Sequence, residues 1–273
     1  MFVIFSFPVF GSISAGAQSL ELRLMRENRR LQAEVDSLMG VIARLGEEDE
    51  LWSRLSGLDE SGWGGGFSTV GEDLLSGQAR NIAQRLPSVF PEMGIAYDPS
   101  VGKRIAGYCR PGNALILSRA FSRLRARMSY FEEVFAEYGI PTELIPLCVV
   151  ESAVSREAVS SAGAVGMWQL MPDTARGYGL RVDNQQDDRY SVEMSTVAAA
   201  KLLRDLRRSL GTWPLAVMAY NCGAGRVRKA VMQYGGTDPW EVRKGVPAET
   251  QAYLPSLLAV GYLLRYGEEY GLR

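Results

Sequence analysis

Apolar and polar residues follow helical spacing along most of the chain beyond residue 73. Segments 119–138 and 196–210 each carry an apolar side chain every three or four residues, as amphipathic helices do. No alternating strand pattern runs for more than a few residues. Segments 87–91 and 108–112 contain proline and predict turns. The pattern therefore predicts an all-α or strongly α-dominated fold.

A second pattern, with a period of seven, occupies residues 20–45. Its two alternating sets of positions are Leu24, Leu31, Leu38 and Leu45, and Asn28, Val35 and Ile42. This is the a/d seam of a coiled coil, in which Asn28 is a buried polar residue of the kind that fixes register. About three heptads are marginal for independent stability. The pattern also fits one amphipathic helix folded onto its own domain, although self-association is slightly favoured.

The first 17 residues form an apolar stretch that ends in Ala15-Gly16-Ala17. This predicts a signal peptide cleaved after Ala17 and hence export to the periplasm or cell envelope. A buried N-terminal strand is the less favoured interpretation, because a charged helix follows at once. No cysteine stands at the cleavage point, which argues against a lipoprotein anchor.

A glycine-rich stretch, which includes Gly62 to Gly66, separates the heptad helix from the rest of the chain. The predicted organisation has five parts. They are a signal peptide at 1–17, a coiled-coil helix at 18–55, a glycine-rich linker at 56–78, a helical lead-in subdomain at 79–138, and a further domain at 139–273 that carries the candidate chemistry.

Composition narrows the chemistry open to this chain. Its 30 basic and 31 acidic residues give a net charge of −1, without the concentrated positive field that nucleic-acid binding needs. The absence of histidine excludes Ser-His-Asp and Cys-His nucleophilic sites and every His-ligated metal centre. The cysteines, Cys109, Cys148 and Cys222, lack CxxC spacing. Carboxylates, hydroxyls and amides must therefore do any chemistry, and no cofactor or metal is expected.

One carboxylate, Glu151, lies on a strongly apolar predicted helix that starts near Pro141. Leu144, Leu147 and Cys148 precede it by seven, four and three residues and so share its helix face. A carboxyl group there loses hydration, and its pKa should rise enough to hold a proton near neutral pH. Spacing alone supports equally well a structural role, in which Glu151 caps a helix or pairs with an arginine.

Three later motifs shift the balance towards catalysis. Residues 160–166 are small and turn-forming, which lets backbone approach a ligand closely. The aromatic and amide residues that follow suit a sugar, because ring faces stack on apolar sugar faces and hydroxyls bond to amides. The side chains concerned are Trp168, Gln169, Tyr220, Asn221, Glu249 and Tyr253.

Together and in this order, these motifs resemble the lytic transglycosylase domain of the goose-lysozyme-like superfamily. The matching segments are Glu151-Ser152, Ser160-x-x-Gly163-Ala164-x-Gly166-x-x-Gln169-x-Met171-Pro172-x-Thr174-Ala175, Ala219-Tyr220-Asn221-x-Gly223 and Glu249-Thr250-x-x-Tyr253. Segments 149–153, 166–169, 187–189 and 195–196 indicate the membrane-bound lytic murein transglycosylase D type. The resemblance covers roughly residue 95 to the C-terminus and implies a lysozyme-like helical catalytic domain at 139–273.

The resemblance also implies an activity on peptidoglycan. Glu151 would act alone, first as acid and then as base, on the bond between N-acetylmuramic acid and N-acetylglucosamine, and would leave a 1,6-anhydro end. The resemblance also implies roles by position. Ser160 and Gln169 would contact the sugar near the acetamido group, and Tyr220 and Asn221 would line the cleft floor, with Tyr220 close to Glu151. Glu249 and Tyr253 would close the site, and Met171 and Trp168 would be apolar walls. Trp168 stands where many relatives have methionine, and Cys222 where others have alanine.

Two other functions stay open on the sequence. A hydrolytic muramidase would use the same glutamate but would need a second acid to activate water, and Asp187 and Asp188 are the nearest candidates. A non-catalytic glycan-binding scaffold, built around the coiled coil, would not need a buried acid. The expected partners are peptidoglycan glycan strands, a second copy of the chain through residues 20–45 and an envelope protein, with no nucleic acid.

Overall fold

The computed structural model describes residues 70–272, with side chains from residue 78 onward. The predicted signal peptide, the predicted coiled coil at 18–55 and residues 56–69 of the predicted linker lie outside the described residues. The α-helices of the described part are α1 (Val70–Val89), α2 (Pro99–Tyr108), α3 (Pro111–Arg125), α4 (Met128–Tyr138), α5 (Leu147–Ser152), α6 (Pro172–Gly177), α7 (Val192–Leu210), α8 (Trp213–Cys222), α9 (Ala224–Tyr234), α10 (Pro239–Val242) and α11 (Ala248–Tyr266). Short 3₁₀ helices occupy Thr142–Leu144, Asp188–Tyr190, Arg243–Gly245 and Gly267–Tyr270.

Helix α11 is the centre of the core. It contacts α1, α2, α5 and α8, and its residues from Tyr253 to Leu263 are buried without interruption. A helix that is apolar on every face must lie inside the protein. Gly261 allows Phe90, the residue directly after α1, to approach closely, because a Cβ at Gly261 would lie 2.4 Å from Cζ of Phe90. The part of α11 that begins at Tyr253 is therefore held within the core.

The all-α prediction is confirmed for the part of the chain that the structure describes. Within residues 70–272 the only β-type pairing consists of isolated bridges: Val159 with Val165, Val165 with Leu170, and Val182 with Asp187. Among these same residues, no helix is both long and apolar enough to cross a membrane.

The helix predicted at 119–138 is two helices, α3 and α4, separated at Ala126 and Arg127. Neither glycine nor proline marks the break. After the break, Phe131 and Phe135 pack against the indole of Trp168, and their ring centroids lie 5.9 and 5.7 Å, respectively, from that of Trp168. Helix α4 is thus packed against a distant segment of the chain, a contact that the local helical pattern does not reveal.

Two other predicted boundaries change. Helix α1 begins at Val70, so residues 70–78 of the predicted linker are helical. The same helix includes Pro87 and ends at Val89, which limits the turn predicted at 87–91 to its last residues. Pro87 removes one helical hydrogen bond, and the helix ends two residues later.

The helix predicted from Pro141 through Glu151 is also interrupted. Residues Thr142–Leu144 form a 3₁₀ turn, and the α-helix proper starts at Leu147, directly after Pro146. Pro146 has no backbone N–H, so a continuous helix through it would lack one hydrogen bond. Glu151 therefore lies near the end of a helix of only six residues.

Candidate active site

Glu151 is held at the C-terminal end of α5 by a sharp reversal of the chain. Ala153 and Val154 have φ of 52° and 65°, and positive φ is rare for a β-branched residue such as valine. Their amides close the helix, since Ala153 N donates to Val149 O at 2.9 Å and Val154 N donates to Cys148 O at 3.1 Å. Two consecutive strained residues next to a carboxyl group are typical of a functional site.

The surroundings of the Glu151 carboxyl group are apolar. Leu147 and Cys148, which share the predicted helix face of Glu151, are fully buried, and so is the neighbouring Val149. Burial raises the pKa of Glu151 to about 8, the Tyr253 hydrogen bond lowers it, and the negative charge of Glu249 raises it. The carboxyl group is therefore largely protonated at neutral pH and can donate a proton.

Two phenols near Glu151 have different hydrogen-bond partners. Tyr253 Oη donates to Glu151 Oε1, whereas Tyr220 Oη donates to the backbone oxygen of Trp168 at 2.7 Å. Burial and the nearby charge of Glu151 hold both tyrosine pKa values well above 10. Both phenols therefore stay protonated and act as hydrogen-bond donors. Tyr253 bonds the carboxyl group itself, and Tyr220 fixes the backbone just before Gln169.

Asn221 and Glu249 form a polar connection between α8 and α11. Thr250 Oγ1 donates to Asn221 Oδ1 at 2.6 Å, and Asn221 Nδ2 donates to Glu249 Oε1 at 3.2 Å. These two bonds fix the orientation of the Asn221 amide. Glu249 is exposed and Asn221 is half-buried, so solvent reaches both side chains. Thr250 was given no role by the sequence, although it lies inside the Glu249-Thr250-x-x-Tyr253 motif.

Ser160 and Gln169 lie at the two ends of one compact loop. Ser160 Oγ accepts a hydrogen bond from Ala164 N at 2.9 Å, and Gln169 Nε2 donates to Gly166 O at 2.8 Å. Gln169 also has a positive φ of 47°. Both side chains therefore shape the loop itself. Met171, directly after the loop, is 42% exposed and can serve as an apolar surface.

The predicted role of Trp168 as a wall of the cleft is wrong. Its side chain is completely buried, and Nε1 donates to Thr196 Oγ1 at 2.9 Å. It packs between Phe131 and Phe135 and belongs to the core. The Gly166-to-Gln169 turn directs the indole inward, and a single aromatic residue in a motif does not reveal this direction from sequence.

Asp187 and Asp188 are engaged in structural bonds. Asp187 pairs with Arg189 at 2.7 Å, and this arginine lowers the pKa of Asp187. Asp188 is buried and accepts from Arg181 N at 2.7 Å and Gln186 Nε2 at 2.6 Å. These carboxylates hold their own segment together, which leaves little capacity for activating a water.

Within residues 70–272, no group of three or more cysteine, aspartate or glutamate side chains is arranged to hold a metal ion. The cysteines in this part of the chain, Cys109, Cys148 and Cys222, are unpaired thiols. Burial raises the pKa of all three thiols, and that of Cys109 reaches about 11. They are therefore protonated at neutral pH and poor nucleophiles.

Ser152 was part of a recognised motif but received no role from the sequence. Its hydroxyl donates to Met167 O at 2.9 Å and accepts from Ser155 N at 3.1 Å. It therefore connects the end of α5 to the loop that ends at Gln169. Its position next to Glu151 is the only signal in the sequence that could have suggested this role.

Comparisons with known proteins show which sequences this chain is similar to. Residues 129–242 match the family model described as "Transglycosylase SLT domain". The chain is 35% identical over 187 residues to membrane-bound lytic murein transglycosylase D of Escherichia coli K12. This alignment covers 67% of this chain and 40% of that relative. It is 36% identical over 100 residues to the peptidoglycan transglycosylase gp16 of phage T7, which covers 36% of this chain and 8% of that relative. The chain thus spans well under half the length of these curated relatives.

Solved structures are similar at lower identity. An inactive mutant of the lytic transglycosylase Slt from Pseudomonas aeruginosa aligns with a TM-score of 0.46 and 16% identity, over 83% of this chain and 50% of that one. The 70 kDa soluble lytic transglycosylase of Escherichia coli aligns with a TM-score of 0.45 and 18% identity, over 85% of this chain and 45% of that one.

Proposed function

We infer that this chain, whose residues 129–242 match a transglycosylase SLT domain, is a lytic transglycosylase that cleaves the β-1,4 bond between N-acetylmuramic acid and N-acetylglucosamine in peptidoglycan. The observation that carries the proposal is the Glu151 carboxyl group, which burial keeps protonated and Tyr253 holds by one oxygen. The other oxygen is available for proton transfer. We also propose that this cleavage serves cell-wall remodelling or turnover.

The chemistry needs one acid/base and no water. Glu151 gives its proton to the glycosidic oxygen while the bond from that oxygen to muramyl C1 breaks, and the acetamido oxygen of the substrate stabilises the positive charge at C1. The Glu151 carboxylate then takes the proton of the muramyl C6 hydroxyl, and O6 bonds to C1. The proton is restored to Glu151, and the product carries a 1,6-anhydro ring. Because the nucleophile is attached to the substrate, its effective concentration is high.

The other predicted site residues are proposed to contact substrate or to shape its cleft. Met171 offers an exposed apolar surface, and Ser160 and Gln169 shape the loop that would meet the acetamido group. Tyr220 supports that loop from below through Trp168 O. Asn221 and Glu249 form the opposite edge, where their mutual hydrogen bond fixes both side chains.

The cellular setting is proposed from the sequence and the curated relatives. A predicted signal peptide at 1–17 and the name of the membrane-bound relative both support a place in the cell envelope. Glycan strands are the proposed partner there. Self-association through the heptads at 20–45 and contact with an envelope protein are further proposals, and the molecular mass in solution with and without residues 18–55 tests the first of them.

The bonding of Asp187 and Asp188 argues against either of them as the water-activating carboxylate of a hydrolase. A hydrolase needs a second carboxylate that is free to activate water. Asp187 is paired with Arg189, and Asp188 accepts hydrogen bonds from Arg181 N and Gln186 Nε2. Attack by the muramyl C6 hydroxyl needs no such group.

Mass spectrometry of fragments released from sacculi tests the proposal. The purified chain should release muropeptides with anhydro ends, and Glu151→Gln should release none. Glu157→Gln is the matched control, because Glu157 lies on the surface in an exposed pair with Arg156. Fragments heavier by one water would show hydrolysis instead, and no release by the wild type would favour the binding scaffold.

A further inference from the structure

The loop that carries Ser160 and Gln169, residues 158–170, is closed by a few backbone hydrogen bonds. Gly166 N donates to Ala158 O at 2.8 Å, and Val165 and Leu170 exchange two bonds of 3.2 Å. Three more backbone bonds lie within the loop: Ser160 N to Ala164 O, Gly163 N to Ser160 O, and Gln169 N to Gly166 O. An isolated hairpin of this size is nevertheless at best marginally stable in water. The position of the loop must therefore depend on what lies beneath it.

A buried arginine, Arg189, lies against the loop. Arg189 Nη1 donates to Gly163 O at 2.9 Å and to Leu170 O at 3.0 Å, so that one guanidinium nitrogen joins two distant points of the loop. The side chain of Arg189 is only 7% exposed. Lysine has a single ammonium on a flexible stem and cannot reproduce the fixed geometry of these donors.

Asp187 holds the other side of the same guanidinium. Its Oδ2 accepts from Arg189 Nη2 at 2.7 Å and its Oδ1 accepts from Nε at 2.9 Å. A buried cation is tolerated when it is paired with a carboxylate and hydrogen-bonded. The bidentate pair therefore fixes the direction in which Nη1 points, which is towards the two carbonyl groups of the loop.

The backbone of the loop also rests directly on Arg189. A Cβ at Gly166 would lie 2.2 Å from Arg189 O, and Gly166 has a φ of +80°. Only glycine permits both this contact and this conformation. The loop and the Asp188–Tyr190 turn are thus fitted to each other through side chain and backbone.

We propose that Asp187 and Arg189 are positioning residues for the substrate, which act by fixing the 158–170 loop and with it Ser160 and Gln169. The proposal rests on the proposed function. It assigns to Asp187 a part in substrate placement rather than in the activation of water. Neither residue is among the groups that set the pKa of Glu151, so the effect on catalysis passes through the loop.

The test compares Asp187→Asn and Arg189→Lys with Asp183→Asn in the full chain. Asp183 is a matched control because it lies four residues before Asp187 and forms an exposed ion pair with Arg181. Hydrogen–deuterium exchange should become faster in peptides from 158–170 for the first two variants only. On soluble glycan strands, kcat/KM should fall about 10- to 100-fold, mainly through KM, while the pH at which activity declines stays that of the wild type.

A purely structural role would give a different result. Activity would then fall in proportion to the folded fraction measured by circular dichroism, with KM unchanged, and this outcome would overturn the proposal. Gly166→Ala supplies an independent variant, since it lifts the loop without removing either charge, and it should show the same rise in KM. Unchanged exchange in 158–170 would also overturn the proposal, even if the wild type released no anhydro fragments and the proposed function failed.

Discussion

Tyr253 Oη donates a hydrogen bond to Glu151 Oε1 and so connects the first turns of α11 to the last turn of α5. The bond acts against burial. Burial raises the pKa of Glu151 and the phenol lowers it, with the outcome at about 8. Since a protonated Glu151 is required to start the reaction, activity should decline as pH rises through this value.

Replacing Tyr253 with phenylalanine should move that decline to higher pH. The hydrogen bond favours the charged carboxylate, so its loss raises the pKa of Glu151 further. The same change removes the donor that orients the carboxyl group, and kcat should fall. A pH profile of kcat/KM for Tyr253→Phe measures the shift. A decline that moves to lower pH would contradict the assignment.

Glu249→Gln should move the decline in the opposite direction. The charge of Glu249 raises the pKa of Glu151, and glutamine removes that charge while it still offers an oxygen to Asn221 Nδ2. The alkaline limb of the kcat/KM profile should therefore lie at lower pH than in the wild type. Glu241→Gln, in an exposed pair with Lys244, is the control and should leave the limb in place.

Glu151→Gln should stabilise the protein at alkaline pH. The folded-state pKa of Glu151 is raised from 4.5 to about 8, so the wild type loses stability as pH rises between these values. The variant has no proton to lose at this position. The difference between its unfolding free energy and that of the wild type should therefore increase by at most about 1.4 kcal/mol per pH unit. Urea unfolding at about pH 5 and about pH 8 measures this, and a pH-independent difference would argue against a buried acid.

Thr196→Val should destabilise the core without a direct effect on chemistry. It leaves the buried Nε1 of Trp168 without its acceptor, which costs about 1–3 kcal/mol. Thr237→Val, at an exposed position, is the matched control and should change stability little. Thermal unfolding followed by tryptophan fluorescence compares the two. Equal stability of both variants would show that the indole finds another partner.

Much of the fold could be predicted from local pattern, because most helices carry their own amphipathic spacing. The long helix around 196–210 is α7, Val192–Leu210, and the apolar face that leads to Glu151 is buried. The breaks at Ala126 and Pro146 were not predicted. The first is marked by neither glycine nor proline. The helix that follows it packs Phe131 and Phe135 against Trp168, more than 30 positions away, and local spacing contains no information about that contact.

The candidate site shows the same division. Sequence motifs selected Glu151, Tyr220, Asn221, Glu249 and Tyr253, and the structure brings them together through direct bonds or nearby charges. Which phenol bonds the carboxyl group was not predictable, because it depends on where α8 and α11, which carry the two tyrosines, lie relative to α5. The inward direction of Trp168 was missed because it depends on the Gly166-to-Gln169 turn and on packing against Phe131 and Phe135.

The location of Tyr253 on α11 has a consequence for how the protein should fail on heating. Helix α11 is buried from Tyr253 to Leu263 and contacts four other helices, so it can leave its place only when the core comes apart. The hydrogen bond to Glu151 should therefore persist until then. Thermal inactivation and the melting of the whole domain should coincide in temperature, with no inactive but still folded state in between.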